Sequence, residues 1–233
     1  MQVFSKEATP PGWLVALGDG SRGIGRVKFR SFFYKSGRLD YFYGMKASKL
    51  ENLRYPIGHF VVPDNITDTV LADWTAQLEA LPAALEHLVK DLTIEQLETP
   101  YRPGGWTVRQ LVHHIADSHH NSYIRFKWAL TEDTPVIKPY DEKAWADLFD
   151  TRTAPIGMSL DHLRAVHVKL VYLIKGLSGE ALARKFVHPD GNIETSLAEN
   201  VGRYAWHGSH HYTHIKRLLE REGWAIGTTS PGK

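Results

Sequence analysis

From Thr67 onward, apolar residues recur every three to four positions, the period of an amphipathic helix rather than a strand. Leu71, Trp74, Leu78, Leu81 and Leu85 form one stripe and predict a helix over roughly 67–92. Pro82 lies inside it and, lacking an N–H, is expected to kink or interrupt it. The run Tyr101-Arg-Pro-Gly-Gly105 breaks the pattern. A second helix is predicted from Thr107 to about Leu130, opened by the capping-box string Thr107-Val-Arg-Gln110 and carrying Val108, Leu111, Val112, Ile115 and Phe126 on one face. A proline-punctuated loop follows to about Pro155. A third helix is expected over 159–177, beginning at Ser159, with Leu160, Leu163, Val166, Leu170 and Leu173 on its stripe. The fourth opens at a further capping box, Ser196-Leu-Ala-Glu199, and ends near Gly223. Four long amphipathic helices, with no convincing strand pair after residue 65, predict an all-α four-helix bundle.

Residues 1–44 differ, being rich in glycine, basic residues and aromatics without helical periodicity, so the chain divides into an extension (1–44) and the bundle domain (45–233). The extension holds Gly18-Asp-Gly-Ser-Arg-Gly-Ile-Gly25, a string like a dinucleotide-binding turn. Such a site needs a complete βαβ unit, and the following Phe29-Arg-Ser-Phe-Phe-Tyr34 offers no adequate helix.

Composition narrows the chemistry. There is no cysteine, so disulfides, thiolate metal sites and a cysteine nucleophile are excluded. A net charge of +2 without a basic patch argues against nucleic acid. No apolar run approaches the ~20 residues of a membrane span, and the N-terminus lacks a signal-peptide layout, so a cytoplasmic protein with no membrane partner is expected.

Eight of the 13 histidines fall in two short segments: His113, His114, His119 and His120, then His207, His210, His211 and His214. Imidazole is the commonest ligand for zinc, nickel and iron, and histidines four apart on a helix point the same way. A lone helical histidine is more often a hydrogen-bonding residue, but two i,i+4 pairs facing a distant cluster fit a three-histidine site. At 100° per residue with Leu197 at zero, His207 and His211 fall at about −80° and −40°, on the shoulder of the core face. His210 and His214 fall at about −140° and −100°, nearer to solvent. On the second helix, with Val108 at zero, His119 lands near 20° and His114 near −120°, so phase leaves the choice between them open.

Long irregular strings resemble the DinB-like superfamily, and in particular its YfiT-type branch. They are Arg54-Tyr-Pro-Ile-Gly58, Tyr101-Arg-Pro-Gly-Gly-Trp-Thr-Val-Arg-Gln110, His113-His-Ile-Ala-Asp-Ser-His119, Asn121-Ser-Tyr-Ile-Arg-Phe-Lys127, Lys138-Pro-Tyr-Asp141 and Tyr204-Ala-Trp-His-Gly208. The similarity spans about residues 54–224. It implies a four-helix bundle holding a single divalent metal, zinc first with nickel or iron possible, on His114, His207 and His211. It also implies a metal-dependent hydrolase acting on a small molecule, with a thiol S-transferase using a low-molecular-weight thiol such as bacillithiol as the alternative, and a homodimer. A non-catalytic metal-binding module is the second alternative. Since the family begins just before the Tyr-Pro-Ile-Gly string, the 1–44 segment is expected either to precede the true start, with Met45 a natural beginning, or to be a poorly ordered extension.

Three imidazoles leave a metal open positions for water or substrate. Asp117, Asp141, Glu142 and Arg125 are the charged residues near enough in sequence to serve such a pocket. None is assigned a catalytic role. The pocket itself is expected near Asn121 and Arg125.

Overall fold

The computed structural model describes residues 49–225. The 1–44 extension, its glycine-rich string and Met45 lie outside the described residues. Ten elements follow the short helical stretch at residues 49–54. They are α1 (Asp68–Val89), α2 (Ile94–Leu97), α3 (Val108–Thr131), α4 (Glu142–Ala146), α5 (Phe149–Thr153), α6 (Ile156–Lys175), α7 (Gly179–Ala183), β1 (Lys185–His188), β2 (Ile193–Ser196) and α8 (Leu197–Glu222). The four long helices, α1, α3, α6 and α8, make the bundle. Each packs on two neighbours in the ring α1–α8–α3–α6, so the successive long helices α1 and α3 occupy opposite corners, as do α6 and α8. This ordering brings the two histidine-rich helices, α3 and α8, side by side. No helix among the described residues is long and apolar enough to cross a membrane.

The helix starts follow their caps. Thr107 and Ser196 each accept from the backbone N–H three residues on, while Gln110 and Glu199 reach back to complete capping boxes. Gly223, at φ 67°, closes α8 in the left-handed conformation that suits glycine. The core is apolar along the bundle axis, with Leu85, Leu111, Ile115, Phe126, Leu163, Leu170, Leu197 and Ile215 essentially inaccessible.

Three expectations need correction. Helix α6 starts at Ile156, behind Pro155, because Ser159 is not a cap: its hydroxyl hydrogen-bonds His113 Nδ1 at 2.6 Å. Residues 185–196 form an antiparallel hairpin where no strand pair is expected, turning through Gly191 (φ 80°) and Asn192 (φ 52°). Four-residue strands are too short to show a two-residue alternation against helical surroundings. Helix α1 runs unbroken through Pro82. Proline removes the N–H that would bond the carbonyl of Leu78, and that carbonyl instead accepts from His167 Nδ1 at 2.6 Å. The replacement donor comes from α6, so the helix continues while gaining an anchor point for a neighbouring side chain.

Candidate metal centre

His114 on α3 and His207 and His211 on α8 converge where the two helices meet, with one nitrogen from each within 4.8 Å of the others. His114 Nε2 lies 3.2 Å from His207 Nε2. The indole of Trp106 covers His114 from outside, ring centroids 4.7 Å apart. Burial holds all three imidazoles neutral, pushing His114 down to about 4 and the other two well below the usual histidine range. Neutral imidazole is the form that binds a metal.

Two histidine relays fix which nitrogen of each α8 ligand carries a lone pair. A carbonyl can only accept, so His167 must carry its proton on Nδ1 to bond Leu78 O. Its Nε2 is then an acceptor and takes Nδ1–H of His119 at 2.8 Å. His119 Nε2 in turn accepts Nδ1–H of His207 at 3.2 Å, which leaves the lone pair of His207 on Nε2, facing His114. The second relay begins at Arg54 O, which accepts Nε2–H of His214 at 3.0 Å. His214 Nδ1 then accepts Nδ1–H of His211 at 3.3 Å, leaving the lone pair of His211 on Nε2. Outer hydrogen bonds of this kind orient metal-binding histidines and set their tautomers.

The donor set fits a metal. Two nitrogens bonded to one zinc at about 2.0–2.1 Å lie about 3 Å apart. The 3.2 Å between His114 Nε2 and His207 Nε2 is that separation. His210, His211 and His214 form a second close group, but all three sit on α8 and the relay already engages His214 with His211.

His210 and His214 are not near solvent as helical phase predicts. They are 6% and 3% exposed, because residues 54–59 and the loop at 101–105 fold over that side of α8. The Tyr55 ring lies 5.9 Å from His210, and the Tyr101 ring 4.1 Å from His214. Phase on an isolated helix cannot register segments that cover it from elsewhere in the chain. His119 is fully buried, as its phase predicts, but as a relay member. His113 is buried too, between Ser159 Oγ and Ala154 O. His167, which anchors one relay, is a lone histidine among the apolar positions of the third helix, and no sequence pattern marks it. Its role comes from the Leu78 carbonyl that Pro82 leaves free on α1.

Two clefts reach the centre, and Glu142 and Lys143 of α4 border both. The first, of about 560 Å³, is lined by Arg125, Tyr140, Tyr204 and His207. The second, of about 710 Å³, is lined by Trp106, Gln110, His210 and His211. Arg125 therefore lies where the pocket is expected, whereas Asn121 bonds its own helix at Asp117 O. Asp141 is the N-cap of α4, accepting from the backbone of Lys143 and Ala144. Burial raises Asp117, with His162 opposing the shift and Asp150 adding to it.

Sequence comparison places these features in a family. The DinB superfamily pattern matches residues 77–215. A protein of Oceanobacillus iheyensis, provisionally named a metal-dependent hydrolase, is 49% identical over 174 residues, covering 74% of this chain and 99% of the relative. One from Bacillus cereus with the same provisional name is 50% identical over 175 residues, 75% of this chain and all of the relative. Among solved structures, YfiT from Bacillus subtilis superposes with a TM-score of 0.73 at 48% identity, over 75% of this chain and 99% of its own. YfiT is described as a probable metal-dependent hydrolase with an unusual four-helix bundle topology.

Proposed function

The chain belongs to the DinB superfamily, and from that premise we propose that it is a metal-dependent hydrolase whose single divalent metal, zinc in the first instance, is held by His114, His207 and His211. The observation that carries this reading is the pair of relays. Each begins on a backbone carbonyl and ends by leaving an Nε2 lone pair on a histidine of α8, that of His207 facing His114. With their protons turned outward, His207 and His211 offer buried Nε2 lone pairs, and a cation shared with His114 would satisfy them together. A divalent metal with three imidazole ligands supplies an acidified water, with a pKa of about 7, and a Lewis acid for a carbonyl.

The chain's own residues do the rest. The relays hold His207 and His211 in one orientation, so no rotamer or tautomer search precedes binding. Trp106 shields the outer face of His114, and the two clefts admit a small-molecule substrate from either side of α4. The apolar strip of α6 around Val168 and Tyr172, 67% and 84% exposed, is the surface on which two copies would pair.

The test is metal content by plasma mass spectrometry on untagged protein, for wild type, His207→Ala/His211→Ala and His210→Ala/His214→Ala, followed by an ester and amide screen. One metal per chain, absent only from the first double variant, with hydrolysis lost alongside it, is the expected result. Metal in the first variant but not the second would move the site to the His210 group. Metal retention without hydrolysis, but with thiol addition to an electrophile, would replace hydrolase by S-transferase.

A further inference from the structure

We propose that the cleft beside His207 is a binding site for an anionic group of the substrate, a carboxylate or phosphate, with Arg125 as its receptor. This rests on the hydrolase reading for what the bound molecule undergoes, but not for its binding.

Arg125 is 9% exposed and has no carboxylate within 4 Å among the described residues. Its one protein partner there is the hydroxyl of Tyr204, which accepts from Nη1 at 3.1 Å. The other buried arginine of α3 shows what a structural role looks like. Arg109, 8% exposed, bonds Glu98 at 2.6 Å through Nε and Ala154 O at 2.7 Å through Nη1. A guanidinium carries five N–H donors in a planar fork, and withdrawing it from water is costly unless an anion answers it. Arg125 presents the unused part of that fork to a cleft rather than to protein.

The acids bordering this cleft do not answer it. Asp141 is engaged in capping α4, and Asp190 lies 3.8 Å from His188 Nδ1. Glu142 is on the exposed rim. Tyr204, having accepted from Arg125, keeps its own O–H to donate to the same ligand. Tyr204 also sets the distance to the metal centre. It precedes His207 by one helical turn, about 5 Å along α8, and their rings lie 5.6 Å apart. An anion on Arg125 therefore fixes one end of a molecule whose reactive bond reaches the three-histidine group.

Calorimetric titration of the metal-loaded full chain tests this without turnover, using succinate, inorganic phosphate and neutral succinamide as probes. Wild type is expected to bind one anion and not succinamide, and the stronger of succinate and phosphate identifies the group preferred. Arg125→Gln should weaken anion binding by about 10–100-fold with metal content unchanged. Arg125→Lys, which keeps charge but loses the fork, and Tyr204→Phe should each give a smaller loss. Equal binding of succinamide and succinate would overturn the proposal, as would anion binding to Arg125→Gln, or to both milder variants should that one not fold, at wild-type strength. Tight anion binding through Arg125 in a chain that hydrolyses nothing would sink the hydrolase reading alone.

Discussion

Replacing His167 by phenylalanine is the sharpest probe of the relay, because His167 lies two side chains away from any metal ligand. In the intact chain, Leu78 O fixes the proton of His167 on Nδ1, and every later proton follows from that choice. Without His167, His119 loses the acceptor for its Nδ1–H and is free to place its proton on Nε2. That proton would face His207 Nδ1, turning the His207 proton toward the metal centre, where a lone pair is needed. Loss of such outer partners costs metal sites about 10–100-fold in affinity, or about 1.4–2.8 kcal/mol. A separate cost falls on folding. Leu78 O, already without an N–H because of Pro82, becomes an unsatisfied buried acceptor, worth about 1–3 kcal/mol. The assay is chelator-competition zinc titration on folded His167→Phe, with chemical denaturation alongside. His120→Ala, from the exposed His120–His162 pair, serves as control. Reduced stability with wild-type zinc affinity would refute the relay, since a histidine that merely fills space would give that pattern.

His214→Phe should weaken zinc by a similar about 10–100-fold through His211 while one metal per chain still binds at saturation, read by the same titration. The metal-free chain should lose stability as pH falls from 6.5 toward 4. Burial holds His114 at about 4, so in that window the unfolded chain takes up protons the folded one refuses. His114 alone contributes about 3 kcal/mol of this loss, measurable by denaturation midpoints across pH; a flat profile would mean that site is open to water. Gly208→Ala should cost about 1–3 kcal/mol, because its Cβ would clash with Leu81 Cδ2 and meet His119 Cε1 at 3.4 Å. Gly202→Ala should be similar, pressing within 2.6 Å of the Trp74 ring; thermal denaturation checks both.

Local physical chemistry carried much of this protein into view. Capping boxes at Thr107 and Ser196 and the 3.6-residue stripes placed three of the four long helices nearly to the residue, because caps and periodicity are properties of neighbouring residues. The family strings pointed to His114, His207 and His211, which the fold brings together. What local patterns could not supply was the surroundings of each helix. His210 and His214 have the phase of surface residues and are buried, since a segment some 150 residues earlier covers them. Pro82 reads as a helix breaker until α6 delivers His167 to the carbonyl it leaves free. Arg125 lies where the pocket is expected, but only the bundle withdraws it from water without giving it an acid among the described residues. Tautomer, burial and unmet charge depend on which groups meet across the bundle, and that was decided only when α1, α3, α6 and α8 packed.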